Sequence, residues 1–238
     1  MIHSDTIELH LTYHCNLACR YCNRCCGLGV SHTPDMEWPE IRRALYGSGQ
    51  SWKRIVLIGG EPTLHPNVIP VARECRSAFP EARVVIVSNE HTEESRRIVA
   101  TLEDLGVQRH SQDRKEASVL HVCRDMYLSR SDLRILRDGD CDCDWRAADC
   151  GFSADAFGIT ACSCGGAIDG ILGLGVRTWD WAEVKNPDRL RRLCEHCGHG
   201  IQTGPIPPAA LHDYRGQSMT RTWFARMPQP MSITAATD

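Results

Sequence analysis

Three strand-sized apolar segments, TIELHL (6–11), RIVLIGG (54–60) and ARVVIVSN (82–89), are separated by stretches of helical character, and this alternation restricts the fold more than any other feature of the chain. PDMEWPEIRRALYG (34–47) offers Asp35 as a cap and ends in glycine; NVIPVARECRSAF (67–79) and TEESRRIVATLEDLG (92–106) follow the second and third segments. In the last of these Thr92 is a cap and Gly106 a stop, while Ser95 stands where the Glu or Gln of a capping box belongs. SVLHVC (118–123) reads as a further strand. Strands alternating with helices of this length form βα units around a parallel sheet. Only about four to five units fit before residue 140, too few for a closed barrel. The expectation is an α/β fold, a partial, open (β/α) barrel over residues 1–137.

Near residue 138 the texture changes. The stretch from 138 to about 175 is rich in Gly, Asp and Cys with little helical periodicity, and CEHC (194–197) follows the basic segment RLRRL (189–193), read as a solvated helix face. Residues 138–200 are therefore expected to form a small cysteine-bound module. Residues 201–238, with GPIPP and MPQP, read as an irregular tail with one short helix around SMTRTWFARM.

Fourteen of the 238 residues are cysteine, and five of them fall within HCNLACRYCNRCCG (14–27). The first residues show neither the basic nor the apolar region of a signal peptide, and no apolar run approaches the roughly 20 residues that span a bilayer. A cytoplasmic protein is expected, and in that compartment clustered thiols are ligands of metals or clusters rather than disulfide partners. The net charge of −3 gives no broad attraction to nucleic acid or to an anionic membrane.

Cys15, Cys19 and Cys22 form a C-x3-C-x2-C loop, a spacing able to hold three irons of a [4Fe–4S] cube while the fourth stays open to a small molecule. A structural zinc site closes four ligands around one ion instead. After the strand RIVLI comes GGEPTLHP (59–66), in which the glycines permit close backbone approach, Pro62 stiffens the turn and Glu61 offers a carboxylate. The cysteine spacing, the aromatic Tyr21 before its last cysteine, and the Gly-Gly-Glu-Pro turn together resemble the radical S-adenosylmethionine (AdoMet, SAM) superfamily over about residues 6–90. That resemblance implies AdoMet bound near Tyr21, Gly59, Gly60, Glu61 and the strand-end pair Ser88 and Asn89, with Glu61 facing the methionine ammonium. Cys25 and Cys26 lie outside the signature and are expected not to be ligands, and Cys75 and Cys123 to be small buried apolar residues.

CGFSADAFGITACSCGGAID (150–169) resembles the segment of radical SAM enzymes that carries an auxiliary [4Fe–4S] cluster, with a hairpin turning near 156–158 and a later C-x2-C as in the single-cluster, twitch version. The resemblance implies Cys150, Cys162, Cys194 and Cys197 as auxiliary ligands. Cys143, matching an upstream ligand of the larger two-cluster (SPASM) domains, and Cys164 are alternatives for one of the four. C-x-C and C-x2-C pairs are also compatible with a four-thiolate zinc site.

The activity implied is reductive cleavage of AdoMet to a 5′-deoxyadenosyl radical that takes a hydrogen atom from a peptide or small-metabolite substrate, fed by an electron donor such as flavodoxin or ferredoxin. Two other readings of the same residues stand beside it: a zinc-stabilised binding or scaffold protein, and an enzyme fold that binds cluster and AdoMet without turnover.

Overall fold

The computed structural model describes residues 2, 4–28, 33–110, 127–129, 132, 151–198, 208–215 and 217–227. The strand expected at 118–123, the boundary near 138, and Cys123, Cys143 and Cys150 lie outside them. Strand β1 (Thr6–Thr12), helix α1 (Trp38–Tyr46), β2 (Arg54–Gly59), α2 (Val68–Ala78), β3 (Arg83–Ile86), α3 (Glu93–Asp104) and β4 (Gln108–Arg109) follow one another in the alternating order that the periodicity predicts.

The helix caps depart from the expected chemistry in two places. Glu37, not Asp35, caps α1, and its N–H donates to Glu40 Oε2 at 3.0 Å. At α3 serine replaces the carboxylate of the capping box: Ser95 N–H donates to Thr92 Oγ1 and Thr92 N–H to Ser95 Oγ, both at 3.0 Å. A hydroxyl both donates and accepts, so the short side chain closes the box without a longer acid.

β1 to β4 are parallel neighbours in the order β4-β3-β2-β1, and the sheet continues past β1 with β5 (Phe152–Asp155) and β6 (Gly158–Thr160). The expected hairpin is present, with β5 and β6 antiparallel and turning at 156–157. It also joins the main sheet. β5 pairs in parallel with β1, Ile7 opposite Phe152 and Leu9 opposite Ala154. After it come α4 (Gly165–Leu172), α5 (Trp181–Val184) and α6 (Pro187–Cys194). On α6, Leu190 and Leu193 are buried while Arg191 and Arg192 face outward, so the basic segment is a solvated face. The tail is more ordered than its composition predicts: β7 (Leu211–Tyr214) and β8 (Gln217–Thr220) form an antiparallel hairpin before α7 (Arg221–Phe224).

One face of the main sheet, carrying Ile7, Leu9, Leu11, Ile55, Leu57, Val84, Ile86, Phe152 and Ala154, packs under α1–α3. Each Val, Leu, Ile or Phe side chain among them contributes about 1.5–3 kcal/mol by leaving water. The opposite face is buried as well; Val56, Ile58 and Val85 keep it apolar across β2 and β3, but across β1, β5 and β6 it is polar: Glu8, His10, Thr12, Ser153, Asp155 and Thr160. Asp155 accepts from the Tyr13 hydroxyl at 3.1 Å and pairs with Arg177 at 3.0 Å, and Arg177 also reaches Asp169 at 2.8 Å. A second apolar core, built from Tyr13, Tyr21, Tyr127, Ile168, Leu193, Met219 and Trp223 among others, joins the first cysteine loop to α4, α6 and the tail hairpin. Among the described residues no helix is long and apolar enough to cross a membrane.

Candidate functional site

The chain leaves β1 at Thr12 and enters the cysteine loop, where Cys15, Cys19 and Cys22 are all half-buried. Tyr21 and Cys25 both take φ near 55°, a left-handed backbone that costs an ordinary residue about 1–2 kcal/mol. They bracket Cys22, whose carbonyl accepts from Cys25 N–H at 2.9 Å. Burial pushes the Cys15 thiol up to about 11; Leu17 N–H, which meets its sulfur at 3.4 Å, opposes this, and the neighbouring Cys22, Glu61 and Cys19 add to it. Cys22 and Cys19 thus both lie within electrostatic reach of Cys15, although among the described residues no three ligating side chains are grouped closely enough to hold a metal ion. A hydrogen bond from the Cys26 thiol holds Cys22 below the ordinary thiol range against its burial, and the same contact pushes Cys26 up. Three soft sulfur donors on one partly open loop, one of them already favouring thiolate, fit the donor set of an iron–sulfur cluster.

The glycine pair at the end of β2 lies against this loop. A β-carbon on Gly59 would stand 2.1 Å from the Thr12 carbonyl oxygen, and one on Gly60 would stand 2.3 Å from that of His14. Instead Gly60 N–H donates to Thr12 O at 2.7 Å and Glu61 N–H to His14 O at 2.8 Å. The close approach expected toward a ligand is thus made first toward the root of the cysteine loop.

Glu61 is fully buried. Its Oε1 accepts from Thr63 N–H (3.0 Å), the Thr63 hydroxyl (2.7 Å) and the Ser88 hydroxyl (2.8 Å), and its Oε2 from Asn89 N–H (2.7 Å). The carboxylate expected to face an ammonium is therefore engaged internally, fixing the end of β3. Asn89 carries the arrangement onward: its Nδ2 donates to Asn16 Oδ1 at 2.8 Å and lies 3.7 Å from Cys15 Sγ. Glu61, Ser88, Asn89 and Cys15 are thus linked through one set of contacts.

Tyr21 differs from its expected role. Its ring is buried in the second core, its hydroxyl accepts from Ser218 N–H at 2.7 Å, and its own N–H donates to Gln217 Oε1 at 2.8 Å. The tail hairpin thus occupies the side chain and the N–H, and what Tyr21 can offer a cofactor is its backbone carbonyl.

In the second cysteine set, Cys162 follows β6 and its carbonyl accepts from the hydroxyls of Ser153 (2.7 Å) and Thr160 (2.9 Å) and from Gly165 N–H (2.9 Å). Cys194 ends α6 and Cys197 follows it; both, like Cys162, are half-buried against the second core. Leu193, beside Cys194, would stand 2.9 Å from a β-carbon on Gly165, beside Cys164, so the two segments touch. Cys164 itself is buried, as are Cys25 and Cys75.

Several residues at the site escaped the sequence reading: Arg24, Glu8, Ser163, Tyr127 and Gln217. Glu8 and His10 did leave a signal. They are charged or titratable positions on a strand whose two faces are both covered, so their side chains point into the interior rather than to water.

Residues 9–114 match the family described as the Radical SAM superfamily. A comparison with curated proteins gives no match. Among solved structures, that of BtrN in complex with AdoMet and 2-DOIA superposes with a TM-score of 0.55 at 18% identity, covering 87% of this chain and 98% of BtrN. A second structure, of selenomethionine BtrN in an open conformation, gives a TM-score of 0.48 at 18% identity, covering 93% and 97% of the two chains. The α/β fold with its mostly parallel sheet is thus shared with BtrN in its AdoMet complex and is consistent with a partial barrel. Over residues 9–114 the chain is similar to the Radical SAM superfamily domain, and the chain is an enzyme.

Proposed function

We propose that Cys15, Cys19 and Cys22 hold a [4Fe–4S] cluster whose open iron takes AdoMet, and that the enzyme acts on a peptide or a small metabolite. The AdoMet named in the BtrN structure is the ligand we assign here. When bound, cluster and AdoMet together supply a 5′-deoxyadenosyl radical able to take a hydrogen atom from an unactivated C–H bond. The chain's own part is placement. Gly59 and Gly60 bring the β2 turn against the cysteine loop, Glu61 fixes Ser88 and Asn89, and Asn89 meets the loop at Asn16 and Cys15. Tyr21 contributes its backbone carbonyl. The convergence of Glu61, Asn89 and Cys15 is the observation that carries this reading.

Cys150, Cys162, Cys194 and Cys197 are assigned to an auxiliary [4Fe–4S] cluster, with Cys164 as the alternative nearest in space. The contact between the Cys164–Gly165 and Leu193–Cys194 segments supports that grouping. A flavodoxin or ferredoxin is the class of reductant required, in the cytoplasm.

Oxygen-free reconstitution with iron and sulfide, followed by dithionite and AdoMet, tests the reading. The expected result is bound iron with matching acid-labile sulfide and release of 5′-deoxyadenosine, abolished by Cys19→Ala. Tightly held zinc without sulfide, or cleavage that survives Cys19→Ala, overturns it.

A further inference from the structure

The two cysteine segments are tied together through one buried side chain. Arg24, two residues after Cys22, is only 5% exposed. Its Nη1 donates to the Ser163 carbonyl and, at 3.0 Å, to Ser163 Oγ, while its Nη2 donates to Glu8 Oε2 at 3.0 Å. Ser163 Oγ in turn donates to the same Glu8 oxygen at 2.7 Å. Ser163 stands between Cys162 and Cys164. The first cysteine loop, the polar face of β1 and the turn of the second cysteine set thus close a single ring of hydrogen bonds around one ion pair.

A second tie meets the same point from the other side. The Tyr127 hydroxyl donates to the Cys22 carbonyl at 2.7 Å. Its ring lies edge-on to Trp223 at 5.0 Å, and Trp223 Nε1 donates at 2.8 Å to the carbonyl of His196, between Cys194 and Cys197. Both halves of the second cysteine set therefore bear on the residues around Cys22.

That segment needs outside support. Tyr21 and Cys25, on either side of Cys22, hold a left-handed backbone that persists only where surrounding contacts over-determine it. A planar guanidinium is suited to that task, because its fixed fork reaches two partners at once where an ammonium is a single point charge.

We propose that Arg24 is a positioning residue of the first cysteine site, and that through it the turn carrying Cys162 and Cys164 must be in place before Cys22 can face Cys15 and Cys19. Order in the second cysteine set then conditions loading of the first. The inference rests on the function proposed above, and its test separates the two.

The unaltered chain is compared with Arg24→Lys and with the double variant Glu8→Gln/Arg24→Met, which removes both charges so that no buried ion is left alone. In the cofactor-free protein, amide hydrogen exchange of residues 17–28 and 161–165 is followed, with the β2 and β3 amides as a measure of global unfolding. In the double variant both segments should exchange about tenfold faster with β2 and β3 unchanged, and about threefold faster in Arg24→Lys. After reconstitution, the change that AdoMet causes in the electron paramagnetic resonance spectrum of the reduced protein should be lost from the double variant and partly restored in Arg24→Lys. Unaltered exchange at 17–28, or an undiminished AdoMet response, overturns the proposal. Should the β2 and β3 amides show that the double variant unfolds, Arg24→Lys decides, and exchange equal to that of the unaltered chain overturns it. An unaltered chain that gives no AdoMet response refutes the proposed function, and the exchange data still decide the role of Arg24.

Discussion

The Ser88 hydroxyl donates to the Glu61 carboxylate at 2.8 Å, joining the turn after β2 to the end of β3. Three further donors reach the same carboxylate, two of them also on Oε1 and Asn89 N–H on Oε2, so both oxygens are engaged. Glu61→Gln replaces one oxygen by an amide that donates where a donor is already placed. One buried donor is then left unsatisfied at a cost of about 1–3 kcal/mol. Urea unfolding should show that loss, and AdoMet binding should weaken with it because Asn89 N–H loses its anchor. Stability equal to that of the unaltered chain would show that the carboxylate is not the organiser of this turn.

Gly60 allows a sharper test of how the turn is used. A methyl group there meets the His14 carbonyl oxygen at 2.3 Å, a backbone atom that cannot swing aside as a flexible side chain would. Gly60→Ala must therefore push the turn away from the root of the cysteine loop, at about 1–3 kcal/mol. Iron uptake on reconstitution should fall in step with stability. An alanine variant that loads iron as fully as the parent would show that the contact with His14 is dispensable.

The parts of the molecule that were legible in sequence are those set by local rules. Hydrophobic alternation placed β1, short continuous apolar runs placed β2 and β3, and helical periodicity placed α1, α2 and α3, because each of these segments writes its own burial pattern. The cysteine spacing and the Gly-Gly-Glu turn were legible for the same reason. What remained hidden depends on distant partners. Gln217 meets Tyr21 across 196 positions and Ser163 meets Glu8 across 155, and no local pattern marks either pair. The β7–β8 hairpin escaped notice because LHDY and QSMT are polar enough to read as loop, although Tyr214, Gln217 and Met219 are buried once folded. The parallel pairing of β5 with β1 was likewise concealed, since a hairpin signal identifies its own two strands and not the strand beside them.

That hairpin and the helix after it support the cysteine loop through Trp223. The indole is fully buried, edge-on to Tyr127, and bonded to His196. Trp223→Ala opens a large cavity and should cost about 3–5 kcal/mol. Trp223→Phe keeps most of the ring but not the N–H, so about 1–2 kcal/mol is expected, close to the value of one buried hydrogen bond. Thermal unfolding of the two variants checks the ratio. Equal losses would assign the residue's contribution to the hydrogen bond, and a small loss in both would remove the tail from the support of the site.

The polar face of β1 sets the acid response. Burial pushes Glu8 up, but Arg24, with His10 and Ser163, more than offsets it and holds the carboxyl at about 2, against an unperturbed 4.5. Because the folded value is the lower one, this stabilisation is complete above pH 4.5 and is lost as pH falls toward 2; it amounts to about 3 kcal/mol. His10 acts earlier. Burial, then Arg24, lowers its basicity against the opposing pull of Glu8 and Asp155, so the folded chain keeps the ring neutral while the unfolded chain takes a proton below 6.5. Stability should therefore begin to decline just under pH 6.5, and His10→Gln should flatten that first decline while leaving the steeper one below 4.5. Urea midpoints measured at intervals from about pH 7 to pH 3 on both chains give the comparison, and parallel slopes between 6.5 and 4.5 would assign the early decline to groups other than His10.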